Sequence, residues 1–389
     1  MKAIINAKAV LPDKNGNFFI QANTHILFNE RIIGIFQGDI PPEIINLSEE
    51  NIIDAKNKYL SPGFINIHAH GALGKDTMDE EENALQIFAQ AEASMGVTAF
   101  LPTTMTYDIP RVRRALQRIR KAMGEKSQGA KILGAHMEGP YISPKKRGAQ
   151  DIKHIKPAEF EDIADFADAI KIITLAPEVT SNSFMEQAKT SGILLSMGHT
   201  NATYDEAIEA IDSGNIAHIT HLYNAMPHFH HREPGVVGAA FDTSVKTELI
   251  ADNVHSSPTA QRLAYKMKGI ANIILITDSI RASCLGDGLS ELGGQKVIVK
   301  GELATLEDGT IAGSVATMDR VVSIFKNNTG VKLEKAIETV TKNPSNSLKV
   351  FDSMGSIETG KFADFTIFDD NIKIFTTIVD GEFAYVGYK

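Results

Sequence analysis

SPGFINIHAHG, residues 61–71, joins an apolar run to two histidines at strand spacing, His68 and His70. Side chains alternate along a strand, so both imidazoles are expected on one face, roughly 6.6 Å apart along it. That is half of a metal site behind a buried strand. Working outward, similar apolar runs return at about 97–103, 131–138, 171–177, 193–199, 216–222, 247–252 and 272–278, with the opening run at 63–70. Such runs read as parallel strands buried on both faces.

Helical segments fall between most of these runs. In DIPRVRRALQRIRKAMG, Ile109, Val112, Leu116, Ile119 and Met123 step by three and four residues, with Asp108 to cap the start and Gly124 the end. In TYDEAIEAIDSG, Thr203 is a cap and Glu206 its capping-box partner. Strands alternating with helices in this number predict an α/β fold of (β/α)8 TIM-like barrel type. An open doubly wound sheet is disfavoured, because no glycine-rich phosphate loop follows the first strand. Gly286, Gly288, Gly293 and Gly294 read as a loop-like insert after the last barrel strand, and QKVIVKGELATLEDGTIAGS as a hairpin. Both ends of the chain are rich in short Ile, Val and Phe runs broken by Asn, Gly and Pro. A small β-sandwich domain from residues 1–57 plus 355–389 is therefore expected around a barrel at 58–354.

The chain has 389 residues and a net charge of −9 without a basic cluster, which argues against a nucleic-acid partner. Its one cysteine, Cys284, excludes an intramolecular disulfide. The opening MKAIINAKAVLPDKNG has no sustained apolar core, and no later run has the length to span a bilayer. A cytoplasmic protein without a membrane partner is expected.

Barrel enzymes place reacting groups at the C-terminal ends of their strands. Metal-competent side chains collect there: His68 and His70 closing the first strand, Glu138 the third, His199 the fifth, His221 the sixth and Asp278 the eighth. Imidazole and carboxylate donors suit Zn²⁺, and also Fe²⁺, Mn²⁺ or Co²⁺; the lack of thiolates removes the softest sites. With a coordination position open to water, whose pKa such a metal lowers, Asp278 is the natural proton carrier. His136 shares the strand face of Glu138 and is expected to support the ligands. His218 has the opposite parity and should face the helices. His228, His230 and His231 lie in a loop, and His25 and His154 carry no signal.

SPGFINIHAHG, GAHMEGPYISPKKRGAQ, SMGHTNATYDEA, THLYNAMPHFHHREPG, IADNVH and ITDS, in this order and spacing, resemble the N-acetylglucosamine-6-phosphate deacetylase family of the amidohydrolase superfamily. The resemblance implies that Glu138, His199 and His221 hold the principal divalent metal and that Asp278 is the general acid/base. By the same resemblance His68 and His70 bind a second ion, giving one or two per subunit. Some superfamily relatives bridge two metals with a carbamylated lysine on the fourth strand. Here that strand offers only Lys171, at its wrong end, and Glu138 can fill the bridging role. Arg232 and His255 match positions that grip the 6-phosphate, Arg232 reaching in from the neighbouring subunit of a homodimer. Asn224 and Ala225 match positions whose backbone contacts the sugar, and Ala149 with Gln150 match a segment near the acetyl group. The implied reaction is hydrolysis of the acetamide of N-acetylglucosamine 6-phosphate. A deaminase or N-acyl amino-acid hydrolase on the same metal set is the alternative; Arg232 and His255 disfavour it. A non-catalytic scaffold is disfavoured because the ligands and Asp278 are all present.

Overall fold

The apolar runs of the middle of the chain fold into parallel strands, in a computed structural model that describes residues 1–387. They are β1 (Phe64–Ala69), β2 (Val97–Thr104), β3 (Ala135–Glu138), β4 (Ile170–Leu175), β5 (Leu194–Met197), β6 (Ile216–Ile219), β7 (Lys246–Leu249) and β8 (Ile273–Leu275). Each pairs with its sequence neighbour in parallel from β1 through β8, as in Ile172 opposite Leu194 and Ile173 opposite Leu195. The seam between β1 and β8 is stitched at the C-terminal end: Asp278 N donates to His68 O at 2.9 Å and His70 N to Ser279 O at 2.8 Å. The barrel is therefore held shut at the level where the histidines lie.

Apolar side chains of β1, β2, β4 and β8, among them Ile65, Leu101, Ile172 and Ile274, join one buried cluster with Met354. Strands that are not neighbours meet there, so the cluster fills the inside of the barrel. A second and larger cluster packs the strands against the surrounding helices. The helix Ile109–Met123 forms as its spacing predicts: Asp108 caps Arg111 N, and Val112, Ala115, Leu116 and Ile119 are buried. Between β3 and β4 the helix is replaced by short 3-10 turns.

Strands from the two termini share one mixed sheet. Its path runs from Glu382–Val386 through Ile374–Val379, Phe365–Phe368, Tyr59–Pro62, Lys2–Pro12 and Phe18–Phe28 to Ile32–Gln37. Residues from opposite ends of that path, including Ile26, Phe28 and Ile32 with Phe365 and Ile378, share one core. The sheet thus curls until its halves face each other, with Phe28 and Phe365 edge to face at 5.4 Å.

Two local expectations change. The run at 131–138 is interrupted: Lys131–Ile132 pairs separately with β2, and β3 starts only after Gly134, whose φ of 151° breaks the extended run. The insert after β8 is a three-stranded antiparallel sheet, Gly288–Leu292, Gln295–Lys300 and Leu303–Leu306. Gly293 and Gly294, with φ of 61° and 80°, make its first turn, so the segment expected to be a loop contributes a strand.

Candidate metal centre

Glu138 is the last residue of β3, and its buried carboxylate is the centre of the cluster. Its Oε1 lies 3.2 Å from His199 Nε2, 3.2 Å from His221 Nε2 and 3.3 Å from His68 Nε2. Its Oε2 lies 3.3 Å from His70 Nε2 and accepts a hydrogen bond from Gln150 Nε2 at 2.6 Å. Asp278 closes the arrangement from β8, with Oδ1 3.4 Å from His68 Nε2 and 3.3 Å from His70 Nε2.

Hydrogen bonds at the far nitrogen aim these rings. A carbonyl oxygen only accepts, so His70 Nδ1 donates to Thr103 O and His199 Nδ1 to Lys146 O, each at 3.1 Å. His68 Nδ1 donates to the Glu248 carboxylate at 3.0 Å. The neutral form of each ring then presents a bare Nε2 lone pair to Glu138. His199 Nε2 and His221 Nε2 are only 3.2 Å apart, and His221 Nδ1 meets no partner, so two imidazole nitrogens and a carboxylate oxygen converge on one point. A proton or a cation shared among them offsets the burial of the carboxylate.

The titration of these groups reflects that crowding. Burial opposes a charge on His70, but Asp278 and Glu138 outweigh it and raise its pKa to about 9. Burial likewise opposes charge on His68 and His199, and the surrounding carboxylates raise both. Burial would raise Asp278, yet His68 and His70 hold it down to about 2; Glu138 is lowered against burial by His199 and His68. A site that so strongly favours added positive charge is suited to a divalent cation. The geometry agrees: ligands about 2.0–2.1 Å from a tetrahedral ion stand roughly 3.3 Å apart, and the Glu138–His199–His221 triangle has edges of 3.2 Å. His68, His70 and Asp278 form a second set close enough for one ion.

A third set, His68 with His136 and Glu248, is equally compact. His136 is committed elsewhere. Its Nδ1 donates to Ile67 O at 2.8 Å, so its Nε2 accepts from Thr174 Oγ1 at 2.7 Å. Thr174 in turn accepts from Thr220, and Thr220 from Ser196, which fixes the direction of a hydroxyl chain across the barrel. Burial lowers the His136 pKa to about 3, in keeping with a neutral ring. His136 supports the cluster through packing, its ring 4.4 Å from that of His68.

The ends of the strands differ from the expected picture. His199, His221 and Asp278 do not close β5, β6 and β8; each lies two or three residues beyond, with φ of 47°, 30° and 49°. Non-glycine residues held in that region cost about 1–3 kcal/mol each, a strain typical of functional sites. Backbone bonds hold them there: Ser143 N to His199 O at 2.8 Å, Asn224 N to His221 O at 2.9 Å and Ser314 N to Asp278 O at 2.9 Å. Because the left-handed turn re-aims the side chain, strand parity alone could not have placed these three.

The remaining residues singled out in the sequence divide into two groups. Ala149, Gln150 and Ala225 adjoin the cluster: Gln150 bonds Glu138, and a Cβ built on Gly148 would stand 3.3 Å from His199 Cε1 and 3.8 Å from Ala225 Cβ. Gln150 Oε1 accepts from Thr106 N at 2.8 Å, so its amide is fully oriented. Asn224 turns its side chain back to His221 O and Leu222 O. His255 is pinned by Asp252 at 2.7 Å; burial opposes its charge, and Asp252 with help from Asp278 raises its pKa. Arg232 stands apart on an exposed loop, its guanidinium bonded to His231 Nε2 at 2.9 Å. His218 does not face the surrounding helices as its parity suggested: it pairs in register with Ser196, whose hydroxyl joins the chain across the barrel, and its Nε2 bonds Ser347 on the helix Lys342–Ser347, while Lys171 lies at the entry of β4 with Nζ near Asp168 O. Glu248 was missed, although a carboxylate between Thr247 and Leu249 in a buried strand was a signal of its own.

Comparison with known proteins adds the following. The model of the Amidohydrolase family matches residues 59–386. The N-acetylglucosamine-6-phosphate deacetylase of Bacillus subtilis (strain 168) is 41% identical over 336 residues, 84% of this chain and 85% of that one. Crystal structures of N-acetylglucosamine-6-phosphate deacetylases from Thermotoga maritima and Pasteurella multocida superpose with TM-scores of 0.87 and 0.90. They are 32% and 29% identical to this chain, and each alignment covers 99% of it and 100% of the other chain.

Proposed function

Since this chain belongs to the amidohydrolase family, we propose that its Glu138-centred cluster hydrolyses the acetamide of N-acetylglucosamine 6-phosphate to glucosamine 6-phosphate and acetate. One observation carries the reading: four imidazole nitrogens converge within 3.3 Å of the Glu138 carboxylate, with Asp278 beside two of them. The relatives that share this chain's length are named for that reaction.

Glu138, His199 and His221 would hold the principal ion, and His68 and His70 a second, with Glu138 between them. Nitrogen and oxygen donors favour zinc or iron, with manganese and cobalt also suited. A bound divalent ion supplies Lewis acidity, lowering the pKa of water and polarising a carbonyl. Asp278, ionised at neutral pH, takes the proton of the attacking water and returns it to the amine nitrogen as the C–N bond breaks. Gln150 holds Glu138 in place, while Ala149, Asn224 and Ala225 line the approach of the N-acetyl sugar. His255 offers a donor to the 6-phosphate, and Arg232, exposed on its loop, completes that grip from the neighbouring subunit of a homodimer. The enzyme would act in the cytoplasm, in amino-sugar catabolism and cell-wall sugar recycling. The catalytic barrel would run from about residue 63 to 354, not from 58, because Tyr59–Pro62 pairs with Phe365–Phe368 in the terminal sheet and so belongs with the accessory domain built from both ends of the chain.

The test is acetate release by wild type and Asp278→Asn, with bound ions counted in both. The expected result is that the ion held by Glu138, His199 and His221 is retained and kcat falls by about 10²- to 10⁴-fold. A metal-loaded Asp278→Asn protein with wild-type kcat contradicts the assignment, and a metal-loaded wild type that releases no acetate contradicts the function.

A further inference from the structure

Among the imidazoles around Glu138, His68 alone is held from behind by a charged group. His70 and His199 lean on backbone carbonyls, whereas His68 Nδ1 meets Glu248 Oε2 at 3.0 Å. Glu248 lies on β7 with no exposed surface, and the reaction proposed above makes no use of it. A buried carboxylate costs several kcal/mol unless it is paired and hydrogen-bonded, so its one bond matters. The other groups facing it are His136 from β3 and His218 from β6. Neither donates to it: His136 is spent on Ile67 and Thr174, and His218 turns to Ser347. Among the described residues His68 is the one side chain that donates to Glu248, whose Oε1 meets no partner.

We propose that Glu248 is a positioning residue: by accepting the Nδ1–H of His68 it fixes the tautomer that turns Nε2 into the cluster, and so sets the affinity for the ion held by His68 and His70. The proposal rests on the metal reading above. A carboxylate behind a ligating imidazole strengthens it as a donor and locks its rotation, and losing such a partner weakens metal binding about 10- to 100-fold. Glu248 would thereby govern whether the cluster holds its second ion.

The experiment titrates metal-free protein with Zn²⁺ against a chromophoric chelator, for wild type, Glu248→Gln, Glu248→Leu, His68→Asn and Glu248→Gln/His68→Asn. Glutamine keeps the volume and an acceptor oxygen but removes the charge, and thermal melting in chelator confirms that each variant folds. Glu248→Gln is expected to weaken one ion about 10- to 100-fold and leave the other unchanged, with Glu248→Leu weaker still. Once His68→Asn is present, Glu248→Gln should have no further effect. Wild-type affinities in both Glu248 variants overturn the proposal, as does an equal loss with and without His68. A wild type holding one ion whose affinity Glu248→Gln leaves untouched overturns it too. Failure of the wild type to bind any ion would sink the metal reading itself, and this proposal with it; that outcome is read from the wild type alone.

Discussion

Burial pushes the Glu92 carboxyl up to about 7, against which a single bond from Asn66 Nδ2 at 3.0 Å does little. Its other oxygen has no partner. The unfolded chain gives up this proton near pH 4.5 and the folded protein only near 7. Stability is therefore greatest below the unfolded value and is lost as pH rises through the folded one, by on the order of 3 kcal/mol. Glu92→Gln mimics the protonated acid, so its melting temperature should match wild type at pH 4 and exceed it at pH 8, measured by calorimetry. Equal melting temperatures at pH 8 would contradict the buried, poorly partnered state of Glu92. At this scale the sequence showed the residues that carry chemistry, because His and Glu at strand ends stand out against apolar runs. It hid Glu248 and the carbonyls of Thr103 and Lys146, because what they do depends on a partner distant in the chain.

The elements were legible where periodicity and caps agree. The helix Tyr204–Asp212 has the capping box its sequence announces, with Thr203 Oγ1 accepting from Glu206 N and Glu206 Oε2 from Thr203 N. This helix follows the strained turn at His199, and its first turn is also anchored by Tyr204 Oη donating to Asp242 at 2.6 Å. Thr203→Ala should cost about 1 kcal/mol in urea unfolding; an unchanged midpoint would mean the cap is redundant. Elements were misread where one residue breaks a run. Gly134 splits the third apolar segment, and the glycines after β8 hid a strand because Gly293–Gly294 is a hairpin turn within it. The register shift between Asn66 and Ala69 lets two residues of equal parity meet different neighbours. Asn66 bonds Glu92 on the helix Ala84–Ser94, while His68, two residues on, bonds Glu248 on β7.

For the whole molecule, the terminal sheet does more than tie off the chain ends. Lys131 Nζ, on the short strand beside β2, bonds Asp364 and Asp380, both at 2.7 Å, and Thr366 and Thr377 donate to Gly96 O and Ala93 O at 2.6 and 2.7 Å. The sheet thus braces the turn between the helix Ala84–Ser94 and β2, on the N-terminal side of the barrel. That leaves the opposite end, where the seam closes at His68 and Asp278, to the reacting groups. No helix among the described residues is long and apolar enough to cross a membrane. The barrel was legible because its strands are long apolar runs at regular intervals; a role for Arg232 was not, because its loop is exposed and among the described residues its guanidinium bonds only the neighbouring His231. The most direct test of the whole account is acetate release from N-acetylglucosamine 6-phosphate by metal-stripped protein as Zn²⁺ or Fe²⁺ is added back, with unphosphorylated N-acetylglucosamine assayed beside it. The account predicts that activity returns in step with bound ions and that the phosphorylated sugar has much the higher kcat/KM. Full activity without bound ions, or equal kcat/KM for the two sugars, would contradict it.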